Sequence, residues 1–171
     1  MNFFLKLKYV FLLLLIFTSI MEAQITLTLP KLSGEVGKEL MFPIKICDVT
    51  GMNVSAYQFQ INYDQAIIQI YDTSVLGTLS NYSKTTNFVD TANGIIRIAW
   101  ASPEPITGEG ILLYLKIKIL ETGSAKIYYS ERGKYPTGNV FNSMIGSRDY
   151  KIVTNVGTVV VKKKKNSTIS E

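Results

Sequence analysis

The chain has 171 residues, no histidine, one cysteine and a formal net charge of +5 at neutral pH. That length suits one domain with a sizeable core and leaves little room for a second. The absent histidine excludes the usual serine–histidine triad and histidine metal sites, and Cys47, being alone, excludes an intramolecular disulfide.

Residues 1–23 read as a secretory leader: Lys6 and Lys8, the apolar run "VFLLLLIF" from Val10 to Phe17, then "TSIMEA" ahead of Gln24. The apolar run is well short of the roughly 18 residues a membrane-spanning helix needs. Cleavage after Ala23 is therefore expected, leaving no span in the mature chain. The positive surplus sits mainly in this leader and in Lys162–Lys165. A nucleic-acid binder carries its charge as a patch or stripe on the fold, so no nucleic-acid partner is expected. Residues 162–171 read as a lysine-rich disordered tail, and residues 24–161 as the folded domain.

The mature chain runs strand after strand. "ITLTLPKL" opens it, followed by a turn from Gly34 to Gly37 and by "KELMFPIKI", where Leu40, Phe42, Ile44 and Ile46 form the inward row. Pro43 in that strand donates no backbone hydrogen bond and indicates an edge or a break in pairing. Cys47 follows as a small, semi-buried filler, since a reactive thiolate needs a basic partner. "VSAYQFQINYD" alternates most regularly. Tyr57, Phe59, Ile61 and Tyr63 form one row, and the uncharged Ala56, Gln58, Gln60 and Asn62 form the other.

A turn at Asp64–Ala66 and the strand "IIQIYD" come next, then a polar stretch from Thr73 to Asn93 with one short strand near Asn87–Val89. Asn93-Gly94 punctuates it. In "IIRIAWAS", Ile96, Ile98 and Trp100 face inward, and Arg97, Ala99 and Ala101 outward. "PEPITGEG" reads as a turn region, and "ILLYLKIKIL" as the longest apolar strand, with Lys116 and Lys118 on its wet side. "AKIYYSE", a loop through Pro136 and Gly138, "DYKIVT" and "GTVVV" complete the chain. Eight or nine short strands separated by Gly, Pro and Asn turns indicate an all-β, antiparallel sandwich or jelly roll. The carboxylates Asp48, Asp64, Asp72, Asp90, Glu104 and Glu109 lie mostly at strand ends or in turns, where they hold turns more often than they transfer protons. No enzyme, cofactor or metal site is expected.

The order of "GEVGKELMFPIKI", "VSAYQFQINYDQAIIQI", "GIIRIAWAS", "GEGILLYLKIKI" and "VGTVVV" resembles that of a cohesin domain over nearly all of residues 25–161. The resemblance implies a nine-stranded jelly-roll β-sandwich. Its implied partners are dockerin modules, small calcium-loaded helical domains of polysaccharide-degrading enzymes, with the calcium carried by the partner. Cohesins build their docking face largely from the third, fifth, sixth and eighth strands. The resemblance therefore implies partner-binding roles for Ala56, Gln58, Gln60, Asn62, Arg97, Ala99, Ala101 and Ser102. Small alanines beside a neutral row leave room for a helix across the sheet. The chain departs from familiar cellulosomal members at Ala56 and Gln58, where they carry an asparagine and an aspartate, and at Ser102, where they carry an acid. A standard cellulosomal dockerin is thus in doubt as the cognate. The alternative is a carbohydrate-binding module binding polysaccharide directly through a strip of aromatics, with Trp100, Tyr82, Tyr128, Tyr129 and Tyr135 as the candidates.

Overall fold

The computed structural model describes residues 24–130, 140–143 and 148–162. The leader, Tyr135 and residues 163–171 lie outside them. The described residues are all β: β1 (Gln24–Thr28), β2 (Lys31–Glu35), β3 (Glu39–Ile46), β4 (Val54–Tyr63), β5 (Ile68–Ser74), β6 (Thr86–Asp90), β7 (Ile95–Ile106), β8 (Gly110–Ile119), β9 (Gly123–Tyr129), β10 (Val140–Ser143), β11 (Arg148–Asp149), β12 (Lys151–Thr154) and β13 (Gly157–Lys162).

The strands make two sheets, one in the order β12-β1-β3-β8-β5 and the other along β11-β10-β4-β9-β13-β2, with β7 and then β6 added beside β4. Pairing is antiparallel except for β1 with β12 and β2 with β13. The inward rows read from the alternation meet between the sheets. Phe42, Ile44 and Ile46 of β3 and Leu113, Leu115 and Ile117 of β8 come from one side; Tyr57, Phe59 and Ile61 of β4 and Ile96, Ile98 and Trp100 of β7 come from the other. Burial of these apolar faces is the main term holding the sandwich together.

Prolines explain most departures from the simple pattern. "ITLTLPKL" reads as one strand, but Pro30 divides it: β1 pairs with β3 in one sheet, and β2 crosses to pair with β13 in the other. Pro43 stays inside β3 because β1 pairs only with Lys45 and Ile46, leaving the β1 side open at Pro43 while Tyr114 of β8 faces it on the other side. The expected turn at "PEPI" is corrected. β7 continues through Pro103 and Pro105 to Ile106, with a register shift that sets Ala101 opposite Ala56 and Ile106 opposite Val54. Such a bulge leaves backbone groups outside the ladder, so prolines lose nothing there. β13 also extends through Lys162, whose backbone is registered with Glu35.

Carboxylates fix several turns. Asp64 Oδ1 accepts the Ala66 N–H at 3.1 Å, Asp48 Oδ1 accepts the Thr50 N–H at 2.9 Å, and Asp90 Oδ1 accepts the Asn93 N–H at 3.1 Å. Gly94 has φ 62°, and a Cβ there would stand 2.3 Å from the Tyr63 carbonyl oxygen. Only glycine closes the β6–β7 turn without displacing backbone. Cys47 is half-buried just past β3, its Sγ 3.2 Å from the Thr26 N–H.

Candidate docking face

β4 is the spine of this face. One of its edges pairs with β7 from Ala56 opposite Ala101 to Asn62 opposite Ile95; its other edge is shared by β10 at the start and β9 at the end. β6 pairs with the far edge of β7, setting Thr86 opposite Ala99 and Phe88 opposite Arg97. With Tyr57, Phe59, Ile61 and Tyr63 buried in the core, the alternation turns Ala56, Gln58, Gln60 and Asn62 to the opposite side of the sheet. The register sets Ala101, Ala99 and Arg97 beside them.

Seven of the eight residues named from the sequence are thereby on one face. Ser102 is the exception and a correction: at 5% exposure it lies on the inward row with Trp100, and its Oγ accepts the Glu104 N–H at 3.1 Å. It follows Ala101 directly, so the alternation itself puts it inside. Gln60 shares the outward row yet is only 6% exposed. Its Oε1 accepts from Arg97 Nε at 3.1 Å, and its Nε2 donates to Asn62 Oδ1 at 2.8 Å. Arg97, Gln60 and Asn62 are thus linked across two strands, which fixes their side chains in advance of any partner.

The face also contains a concavity of about 550 Å³, floored by Ala56, Gln58, Ala99 and Ala101 with the edges of Tyr57 and Trp100, and walled by Ser83, Lys84 and Thr86. Ala56, Ala99 and Ala101 carry no side chain beyond Cβ, so the floor is lowered at these positions. The wall was not among the residues named from the sequence, because Ser83 and Lys84 fall in a stretch without periodicity. Phe88 was missed too. It is 56% exposed, and the Arg97 guanidinium carbon stands 5.1 Å from its ring centroid. Extending the short strand expected at Asn87–Val89 one residue each way, to "TNFVD", would have put Thr86 and Phe88 on one row.

The wall is held from below. Ser80 is fully buried; Tyr57 donates its hydroxyl to Ser80 Oγ at 2.9 Å, and Trp100 donates Nε1–H to the Ser80 carbonyl at 3.0 Å. The two rings stack, with centroids 5.1 Å apart and planes 13° from parallel. Both are core residues lying under the concavity, and Ser80 leads directly into the segment that carries Ser83 and Lys84. Burial pushes the Tyr57 phenol well above its ordinary range, with the Ser80 contact acting weakly the other way. Tyr57 is therefore a neutral donor at physiological pH.

Trp100, at 3% exposure, is inside, and so is Tyr129, while Tyr82 and Tyr128 are exposed on different elements. Among the described residues no three Cys, Asp or Glu side chains converge as a metal site would require, and no helix is long and apolar enough to cross a membrane.

The family model of the cohesin domain matches residues 25–143. No curated protein matches the sequence. Several solved structures share the fold. A cohesin from Clostridium acetobutylicum is 22% identical, with a TM-score of 0.64 over 84% of this chain and 94% of its own. A non-cellulosomal cohesin from Archaeoglobus fulgidus is 19% identical, with a TM-score of 0.67 over 84% and 94%. A type I cohesin–dockerin complex from Clostridium thermocellum matches at 13% identity, with a TM-score of 0.69 over 81% and 99%. At these identities the structural likeness is one of fold, whereas the family match rests on the sequence and spans more than half of the chain. This chain belongs to the cohesin domain family.

Proposed function

We propose that the chain is an exported, non-catalytic docking module that binds a dockerin-type helical partner on the β4–β7 face. The observation that carries this reading is the alanine-floored concavity over Ala56, Ala99 and Ala101. Small floor residues let a helix backbone come close to a sheet, and the flanking Gln58 and Asn62 supply amide groups for hydrogen bonds along the rim, with Gln60 holding Arg97 and Asn62 in place from below. Calcium belongs to the partner, whose loops provide the oxygen ligands. Partners of this kind deliver polysaccharide-degrading enzymes, which makes such enzymes the expected cargo. The leader directs export, and the lysine run beyond β13 is a solvated tail. A non-catalytic role agrees with the carboxylates, since Asp48, Asp64 and Asp90 are each engaged by the backbone of their own turn. The polysaccharide reading loses support, because its principal ring, Trp100, lies in the core.

The test is Ala99→Arg, assayed by calorimetry against a panel of calcium-loaded dockerin modules. Ala99 sits on the floor of the concavity, so a guanidinium there should remove binding by any module the unmutated chain accepts. Stability should stay within about 0.5 kcal/mol, as for other substitutions on a half-exposed face. Normal binding by Ala99→Arg moves the docking surface elsewhere and overturns the proposal.

A further inference from the structure

Charge lining the concavity has one sign. Among the described residues the floor and wall of the concavity hold no carboxylate and one cation, Lys84, which is exposed and makes no ion pair. Four residues before Ala101 on β7 stands Arg97, with its guanidinium against the Phe88 ring and its Nε on Gln60. Farther across the same side of the sheet, Lys126 of β9 and Lys31 of β2 flank Thr158 from opposite edges, and both are exposed.

The acids near this face stand outside the concavity. Asp90, on the outward row of β6, keeps its negative charge near Arg97 while Asn93 donates to both carboxylate oxygens, through its N–H at 3.1 Å and its Nδ2 at 2.8 Å. Those hydrogen bonds, with the Arg97 charge, hold the Asp90 carboxyl below its ordinary range. Glu104 is exposed on the β7 bulge and is not part of the concavity, and Glu35 faces the Lys162 position at the far edge. Asp72 lies on the other sheet, paired with Lys116 at 2.8 Å.

We propose that the partner element recognised here is a helix whose flank carries carboxylates set against Lys84 and Arg97, so that the cations are on this domain and the anions on its partner. This rests on the dockerin reading above and names the chemistry of the partner surface. The dimensions fit. Ala101 to Arg97 spans about 13 Å of strand, which about nine residues of helix cover. Such a helix can rest a small-residue stripe on the alanines and present acids along one flank. A buffer-exposed cation such as Lys84 acts mainly on encounter rate and salt dependence, whereas Arg97, held by Gln60 and Phe88, presents its charge in a fixed position.

The experiment uses the full chain and calcium-loaded dockerin modules sorted by the charge of their docking helices, with affinities measured at 50 and 500 mM NaCl. Modules with acidic helix flanks should bind, and their affinity should fall by about 10-fold or more between the two salts. Lys84→Glu should weaken them by about 5- to 10-fold, mainly in association rate, and Lys84→Arg should restore binding. Denaturant midpoints confirm that both variants fold, since position 84 is exposed. Preferential binding of modules with basic flanks, or tighter binding by Lys84→Glu, overturns the proposed polarity and leaves the dockerin reading intact. Failure of every module, or binding indifferent to Ala99→Arg, overturns both.

Discussion

Replacing Trp100 with alanine tests the interior beneath the docking face. The ring is 3% exposed, stacked on Tyr57, and donates its N–H to the Ser80 carbonyl at 3.0 Å. Truncating a buried aromatic and leaving a cavity costs about 3–5 kcal/mol. The Ser80 carbonyl then loses its shorter donor and is left with the Ser83 N–H at 3.4 Å, which adds to that cost. Single domains are stable by about 5–15 kcal/mol, so this one substitution removes a large part of the total. Trp100→Phe keeps most of the ring and loses mainly the donor, and its cost should fall to about 1–3 kcal/mol. Urea midpoints for the variants should be followed by far-ultraviolet circular dichroism, because Trp100 is the only tryptophan. In the unmutated chain the same fact makes fluorescence specific: emission should be blue-shifted and shielded from acrylamide until unfolding. A Trp100→Ala variant that loses less than about 1 kcal/mol, or a tryptophan quenched as freely as in the unfolded chain, refutes the core assignment. The ring then returns as a surface platform for sugar.

Gly94→Ala should cost more than about 2 kcal/mol, because the new Cβ meets the Tyr63 carbonyl while the residue is held at positive φ; a urea midpoint unchanged from the unmutated chain counts against the turn geometry. At high pH, Tyr57 and Tyr129, whose phenols burial pushes up, stabilise the fold fully below the ordinary tyrosine range near 10 and lose that contribution as pH rises through their raised values. Alkaline difference absorbance should therefore show these two ionising only together with unfolding, and a reversible titration of every tyrosine near pH 10 in the folded state contradicts their burial. Intact-mass measurement of the protein recovered outside its cells should give a chain starting at Gln24, and a mass retaining Met1–Ala23 excludes leader cleavage there.

The sandwich was legible because its strands have one wet and one dry face. The alternation in "AYQFQINY" and "IIRIAW" sorted Tyr57, Phe59, Ile98 and Trp100 to the core and Gln58, Gln60, Arg97 and Ala99 to the face, and burial follows that sorting except at Gln60, which its bonds to Arg97 and Asn62 draw under cover. Where the chain lacks a period of two, the reading failed. The β7 bulge interrupts alternation with two prolines, so the pattern stops at Ser102, four residues before the strand does. Ser102 was placed outside against the parity of its own strand, through the position that an acid occupies in relatives rather than through the pattern here. The wall residues Ser83 and Lys84 sit in a segment fixed by specific hydrogen bonds to Ser80, which leave no periodic trace in sequence. β10 is placed beside β4 by long-range pairing, and its four residues carry too little pattern to announce it.

The same two strands supply both the core and the proposed docking face, and this sets how the two can vary. Inward positions are constrained by packing, where one methylene is felt. Exposed outward positions such as Ala101 tolerate changes of charge and size far better than the buried Gln60, so the surface can diverge while the fold persists at identities near 20%. Ser80 is the point at which this separation breaks down. It bonds to two inward rings and leads into the wall that carries Lys84. A change at Tyr57 or Trp100 therefore reaches the docking surface through the loop as well as through global stability. Substitutions at Ala99 or Lys84 reach it directly and leave the core alone.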